Sequence, residues 1–587
     1  MRRAVLILLC VLAPTRVRAQ DTAIVIHPES AAVDVEPREL PRPVIDEAIR
    51  FYNAPTTTRL VGRSWLPPGN EWRGDVAVRN GPVLVGGRIQ GSLLVINGDA
   101  ALERGAVIAG DVLVIGGTVS GAEAATIAGA VREYRGSLPY RLSGDEIVFA
   151  PGPRRWLPTF GAQKTWSSGD TRSALTLATG GTFNRVEGLP IVFGPTFEWK
   201  ISDASRFRID ALGVFRSAGD LSDKRGDLGY ILRAEFRTGD AQALGVGVGA
   251  YDVVAPVEDW GLHSAEIGWS AFVFQRDYRD YYLNKGIAGR VFVHPDRPLD
   301  VALELRHEWQ TSVAARDPWT VFRNDQTWRP NPPMDEGHYT TVSGAVTLDT
   351  RNDRSDPTTG WWVRAQVDNG RSKDVSPQAS VPVSVRPPIP TDGSYAFTRG
   401  FLDVRRYTRV TPNGRVNLRL VGGGWLGGDP LPLQQRLSLG GADPMPGYSF
   451  RESACNRDII DPAFTGSLVA GCDRVLLAQV EYRGHISLHW TYNPSHGEDD
   501  RDDRGEGGGG AVLTLQGPDV VVFGDAGQAW LVGSGPGRLP SDRLPNLGSW
   551  LADLGLGVDW GGFGFYVAKA VTEGAPLRFT LRLDHRF

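Results

Sequence analysis

The chain has 587 residues, too many for one ordinary globular domain, so at least two structural units are expected. A formal net charge of −4 gives no basic surplus for nucleic acid, and past the first twenty residues no run of about 18 apolar residues occurs, which excludes a helical membrane protein. With 72 Gly and 17 Trp against 3 Met, the composition favours a β-rich protein, either a barrel with aromatic belts or a large secreted β-protein.

The opening residues MRRAVLILLCVLAPTRVRAQ place Arg2 and Arg3 before an apolar core and end on Val17-Arg18-Ala19. That pattern predicts a secretory signal peptide over 1–19, too short for a spanning helix, with Cys10 inside the core behind Leu9 and so poorly placed for lipoprotein cleavage. Export would leave Cys455 and Cys472, which read as a disulfide in an oxidising compartment, with two separate thiols as the alternative. Residues 20–40 are polar and predict a flexible segment. Over 41–73, Val44, Ile45, Ala48, Ile49 and Tyr52 fall at helical spacing, so a short amphipathic helix and a linker are expected.

From Gly74 the sequence repeats. GDVAVRNG, GSLLVING, GDVLVIGG and GAVREY begin at Gly74, Gly91, Gly110 and Gly129, each a short apolar run closed in the first three by Asn-Gly or Gly-Gly. A fixed period of this size predicts a small β-solenoid over 74–134, in which each coil buries its apolar side chains against the next. Residues 135–188 read as linker and lead-in.

Residues 189–587 read as amphipathic strands. In LRFTLRLDHRF, Leu577, Phe579, Leu581, Leu583 and Phe587 point one way, and Arg578, Thr580, Arg582, Asp584 and Arg586 the other. Similar alternation recurs around Phe207, Val301, Val363 and Val416. Sixteen strand starts follow, near 189, 205, 228, 243, 262, 281, 300, 339, 360, 394, 414, 474, 512, 550, 562 and 577. The expected fold is all-β: a sixteen-stranded transmembrane antiparallel barrel preceded by a periplasmic β-solenoid. The even count puts both ends in the periplasm and the long connectors 313–338, 371–393, 429–473 and 531–549 outside the cell.

Several stretches carry a resemblance. RLSLGGADPMPGYSF (436–450), VEYRG (480–484), VVFGDAGQAW (521–530) and WGGFGFYVAKAV (560–571) stand in the order found in the BamA/TamA family of bacterial surface antigen barrels, over roughly 339–587. The first resembles that family's sixth loop, with Gly440, Gly441, Asp443, Pro446, Gly447 and Tyr448 at its core. In the family an Arg precedes the Gly-aromatic pair, enters the lumen and pairs with carboxylates on the next two strands, here Glu481 and Asp525. Pro446 occupies the Arg position, so another cation is expected: Arg451 from the loop, or lumen residues such as Arg419 and Arg582. The terminal Phe587 resembles the signal read by the barrel-assembly machinery. Residues 74–134 resemble the bactofilin polymer-forming domain in short form and stand where that family carries POTRA repeats.

No catalytic or metal motif is found, and no cofactor is expected. The acidic, Gly-rich 496–510 reads as a solvated periplasmic insert. His485 and Ser487 share a strand face, which the register turns toward the lumen. The resemblance implies a non-enzymatic role in outer-membrane biogenesis, inserting or translocating protein or lipid. An anchor for a periplasmic scaffold and a passive pore are the alternatives. Expected partners are outer-membrane lipids, the assembly machinery during its own insertion, and a scaffold or a second copy through 74–134, with no nucleic acid.

Overall fold

The computed structural model describes residue 40, residues 42–149 except 135–137, 139 and 144–145, and residues 161–587 except 180–181, 203, 220–226, 240–242, 294–298, 352–356, 378–389, 391–394, 412–413, 452–454, 456–470, 492–511, 535–536, 561–562, 572–575 and 584. The residues expected to form a signal peptide (1–19), a flexible segment (20–39) and a solvated acidic insert (496–510) lie outside the described residues.

Helix α1 (Arg42–Asn53) lays Val44, Ile45, Ala48 and Tyr52 on Ala77, Leu94, Ile96, Leu113 and Ile115 of a β-solenoid. The solenoid starts one coil before the expected Gly74. Thr58–Val61, Ser64–Leu66 and Glu71–Trp72 are its first turn rather than a linker. Every coil pairs in parallel with the one before it, giving three narrow sheets around Val76, Val78, Val83, Val85, Ile89, Leu93 and their repeats.

Two demands fix its glycines. At one corner of successive coils Gly62, Asn80, Asn97 and Gly116 are left-handed, with φ of 77°, 55°, 55° and 72°. The next residue lies hard against the coil below: a Cβ on Gly98 would sit 2.0 Å from the Gly81 carbonyl oxygen, and one on Gly117 2.0 Å from that of Gly98. Side chains tie the coils as well. Asp75 Oδ1 accepts from Ser92 N at 2.8 Å, Ser92 Oγ from Asp111 N at 3.0 Å, and Asp111 Oδ1 from Ala130 N at 2.8 Å.

The barrel strands follow: β1 (Gly161–Ser168), β2 (Thr171–Thr179), β3 (Pro190–Lys200), β4 (Arg206–Arg216), β5 (Leu228–Thr238), β6 (Leu244–Pro256), β7 (Tyr281–Val293), β8 (Leu299–Ser312), β9 (Gly337–Asp349), β10 (Gly360–Ser372), β11 (Tyr395–Thr411), β12 (Gly414–Gly428), β13 (Arg474–Thr491), β14 (Val512–Val532), β15 (Leu551–Trp560), β16 (Phe563–Ala570) and β17 (Arg578–Arg582). All seventeen run antiparallel in chain order in one sheet, and the two-residue strand Arg538–Leu539 lies parallel beside the end of β14.

Contacts across the middle show that the sheet is rolled. Glu266, between β6 and β7, bonds to Arg582 of β17 at 2.7 Å. Laid flat, ten strand spacings would hold these residues roughly 50 Å apart. Inward side chains such as Arg306, Glu308, Arg419, Glu481 and Asp525 are buried, while Leu303, Leu305, Leu418, Leu420, Leu554, Leu556 and Phe565 are exposed on the outer face. Polar inside and apolar outside is the inverse of a soluble protein.

Connectors differ between the two ends. Strand order puts the connectors 169–170, 201–205, 239–243, 294–298, 350–359, 412–413, 492–511 and 561–562 at one end, the tight end, all of ten residues or fewer except 492–511. At the other end lie 180–189, 217–227, 257–280, 313–336, 373–394, 429–473, 533–550 and 571–577, most of them longer. The solenoid meets the tight end, where Thr358 Oγ1 donates to the buried Asp99 Oδ2 at 3.1 Å and accepts from Arg409 Nη2 at 3.0 Å.

Two strand assignments need correction. The expected strand near 262 is helix α2 (Ser264–Phe274), whose buried Ile267 and Ala271 are four apart and whose Gln275 ends it at φ 57°. The hairpin β1–β2 lies in the expected linker and lead-in, turning at Gly169 with φ 56°. Its inward Ala174, Thr176 and Ala178 are too small and mild to contrast with Leu175 and Leu177. One false strand and one missed strand cancel, so the connector 429–473 still follows the eleventh strand counted from β2. The extra β1 makes the sheet odd in number rather than sixteen.

Glu47 on α1 takes Nη1 and Nη2 of Arg132 at 2.9 and 2.5 Å. That bidentate bond holds the Glu47 carboxyl below the usual carboxylate range, against a smaller opposing effect of partial burial. A carboxyl with a depressed folded pKa stabilises the fold fully above its unfolded pKa, about 4.3. The contribution is lost as pH falls through the folded value. Hydrogen exchange over 42–53 is therefore expected to quicken, relative to the solenoid core, below about pH 4. In Arg132→Gln that extra acid sensitivity should vanish.

Candidate functional site

The first part of the connector between β12 and β13, residues 429–451, folds back into the lumen. Leu437, Leu439, Met445 and Tyr448 are buried there with Val421, Val475, Leu477, Ala529 and Ala570 of the wall. Leu437 pairs with Cys472 as a short antiparallel bridge, and the sulfurs of Cys455 and Cys472 lie 2.03 Å apart.

At its tip the connector is held mainly through backbone. Gly440 and Gly441 adopt φ of 104° and 118°. The Pro444 carbonyl accepts from Gln479 Nε2 at 2.8 Å, and Gly447 N donates to Asp553 Oδ2 at 2.6 Å. A Cβ on Gly447 would fall 2.6 Å from Asp553 Cβ and 2.8 Å from Ala570 N, so only glycine lets the tip approach this closely. Tyr448 Oη donates to the Ala552 carbonyl at 3.0 Å and accepts from Ala552 N at 3.1 Å. Pro446 is buried and brings no charge.

The lumen carboxylates have partners other than those expected. Glu481 bonds to Arg483 on its own strand and accepts from Asn417 Nδ2 at 3.1 Å. Asp525 takes Arg586 Nη2 at 2.5 Å and Gln479 Nε2 at 3.0 Å, with the Arg586 guanidinium 3.6 Å from the centre of the Phe523 ring. Asp553 stands directly opposite Asp525 across the β14–β15 ladder.

The three arginines expected to serve Glu481 and Asp525 bond elsewhere. Arg419 binds Asp403 at 2.8 Å, and Arg582 binds Glu266 at 2.7 Å with Asp443 at 3.7 Å. Arg451 reaches Glu258 at 3.1 Å and Asp280, which also takes Arg185 and Arg329 at 2.7 Å each. Asp280 thus joins four connectors: 180–189, 257–280, 313–336 and 429–473. Spacing along the chain carried no sign of this hub.

The chain end also departs from expectation. β17 stops at Arg582, Leu583 N donates to Glu266 Oε1 at 2.8 Å, and Phe587 is buried. His585 Nδ1 lies 2.9 Å from Arg483 Nη1 and 3.2 Å from Asp559 Oδ2. The last five residues therefore leave the strand, and Phe587 does not lie on the exposed outer face. Arg582 anchors to α2, an element that the strand assignment near 262 concealed. His485 Nδ1 faces Asp519 Oδ1 at 2.9 Å.

No protein-family model matches the chain, and no curated protein matches it. Among solved structures, BamA from Haemophilus ducreyi lacking POTRA domains 1–3 is similar, at 12% identity and TM-score 0.39, covering 72% of this chain and 74% of that one. CdiB from Acinetobacter baumannii (10%, TM-score 0.28) covers 73% of this chain and 66% of that one. CdiB from Escherichia coli (11%, TM-score 0.31) covers 73% and 67%. Scores this low do not carry the fold, which stands on the chain's own ladders.

Removing one partner from a buried ion pair costs roughly 3–5 kcal/mol, because the other charge is left uncompensated. Arg586→Gln is therefore expected to lower the urea midpoint of the purified barrel markedly. Adding Asp525→Asn should recover most of the loss. Equal midpoints for Arg586→Gln and the parent chain would refute the pairing.

Proposed function

We propose that this chain is a bacterial outer-membrane barrel that inserts or translocates protein or lipid, with the solenoid and the tight end of the barrel in the periplasm. The observation carrying this reading is the seam of the wall. Among the described residues no ladder joins β1 or β2 to β17, although every other neighbouring pair of strands is hydrogen-bonded. The last strand is five residues long and pairs with β16 from Gly564↔Arg582 to Ala568↔Arg578. Its Phe579 is 81% exposed. A weak, unzipped edge beside an apolar outer face is the physical requirement for moving a chain or a lipid sideways between lumen and bilayer.

The lumen argues against a passive pore. Leu437 to Tyr448 of the connector and Glu266 of α2 reach into it, and their contacts are buried apolar packing and charge-assisted bonds. A scaffold-anchoring role has one specific support, the Asp99–Thr358 contact that seats the solenoid on the barrel. By its resemblance to a polymer-forming domain, the solenoid would then dock a periplasmic partner or a second copy. No catalytic step is assigned, and the Cys455–Cys472 bridge would form after export.

Comparative proteomics of outer membranes after deletion of this chain separates these roles. An insertase predicts lower amounts of other barrels. Unchanged barrel amounts with altered envelope shape would favour the anchor. In planar bilayers the purified chain should show little steady conductance, and a large open channel would restore the pore.

A further inference from the structure

The outer wall carries a cationic rim over β7–β10, at the end bearing the long connectors. Cross-strand register places two rows on one outward face. Lys285 pairs with Trp309 and Trp309 with His338, while His307 pairs with Thr340 and Thr340 with Arg371. Lys373 is exposed two residues beyond Arg371. Trp309 stacks on the His338 ring with centroids 5.9 Å apart, and His307 lies 6.1 Å from His338.

Acidic neighbours are already engaged. Asp374 takes the His338 ring at 2.5 Å and its backbone N–H at 2.9 Å, and Asp252 takes Arg216 at 3.0 Å with Lys285 loosely at 3.9 Å. Arg371 and Lys373 make no ion pair among the described residues. Towards the tight end the same faces turn apolar at once, through Ile287, Leu305, Val342 and Val367, each 46–59% exposed.

Cations above, a half-exposed Trp between and bare aliphatic wall below form a surface ordered along the strand direction. Water alone would not call for the aliphatic part, nor a purely hydrocarbon contact for the three cations. We propose that this rim binds the phosphate-bearing headgroup of a net-negative lipid in the leaflet at the long-connector end. Arg371 and Lys373 would hold the phosphate, Lys285 three strands away would extend the positive rim, Trp309 would sit at the interface, and acyl chains would lie along Ile287, Leu305 and Val342. The proposal rests on the membrane-barrel reading above and adds a lipid class to it.

The test uses the full mature chain in detergent, folded as judged by heat-modifiable mobility. Native mass spectrometry follows its uptake of phosphatidylglycerol and phosphatidylcholine with matched acyl chains. Expected is a preference for phosphatidylglycerol on the order of tenfold or more, given the usual attraction of each surface cation to anionic lipid. The triple variant Lys285→Gln, Arg371→Gln, Lys373→Gln should lose it. Arg406→Gln, which removes a cation stacked 5.0 Å over Trp361 at the opposite end of the wall, should keep it.

Equal uptake of the two lipids, or an unchanged preference in the triple variant, overturns the proposal. So does displacement of the lipid by millimolar inorganic phosphate, which would mark a simple anion site. If the chain folds heat-modifiably in detergent yet shows no preference, only the rim fails. A chain that stays soluble and folded without detergent defeats the membrane reading itself.

Discussion

A charge taken out of water must be matched at close range, and the interior of this barrel is organised by that rule. The inward face holds Asp403 against Arg405 and Arg419, Glu481 against Arg483, and Asp525 against Arg586. Glu235 sits between Arg237 and Arg290. Arginine predominates because its planar fork can grip a carboxylate with two bonds or bridge two acceptors, which lysine's point charge does less well. Partners often come from distant parts of the chain, so the pairs hold loops and strands together as well as balancing charge.

Loop anchoring follows from the same rule. Where the resembling family brings an Arg to the lumen carboxylates, Pro446 brings none, and the task is divided. The tip is fixed by backbone groups of Pro444 and Gly447 and by the Tyr448 hydroxyl. The following residues are fixed by Arg451 on Asp280. A glycine at 447 belongs to this solution, because Asp553 and the β16 backbone leave no room for a side chain.

Much of the fold was legible because a wall with a polar inner face and an apolar outer face imposes a period of two on its strands. Fifteen of the sixteen expected starts fall at or within a few residues of a strand, and connector lengths follow the two ends except at 492–511, twenty residues long on the short-turn end. Failures came where contrast was low or geometry local. In SAEIGWSAFVF the apolar residues are spread around the helix and not gathered on one side, and such a run does not distinguish helix from strand. The β2 hairpin turns small residues inward. The coil before Gly74 is closed by Gly62 without the second glycine that marks later corners. Ion pairs were least legible of all: that Glu481 and Asp525 point inward follows from alternation, but which arginine reaches them depends on how the sheet rolls and where the last residues turn.

The chain end brings these elements together. Five ladder pairs bind β17 to β16, and its other edge is unpaired by ladder among the described residues. What fixes the terminus beyond Arg582 is the tail: Glu266 on the Leu583 N–H, and Asp525 on Arg586. Asp525 faces Asp553, and Asp553 holds Gly447 at the loop tip. Drawing β17 outward would carry Arg586 away and leave two facing carboxylates without that cation, one of them gripping the loop. Any opening of this edge would therefore be linked to the loop tip through the shared Asp525–Asp553 pair.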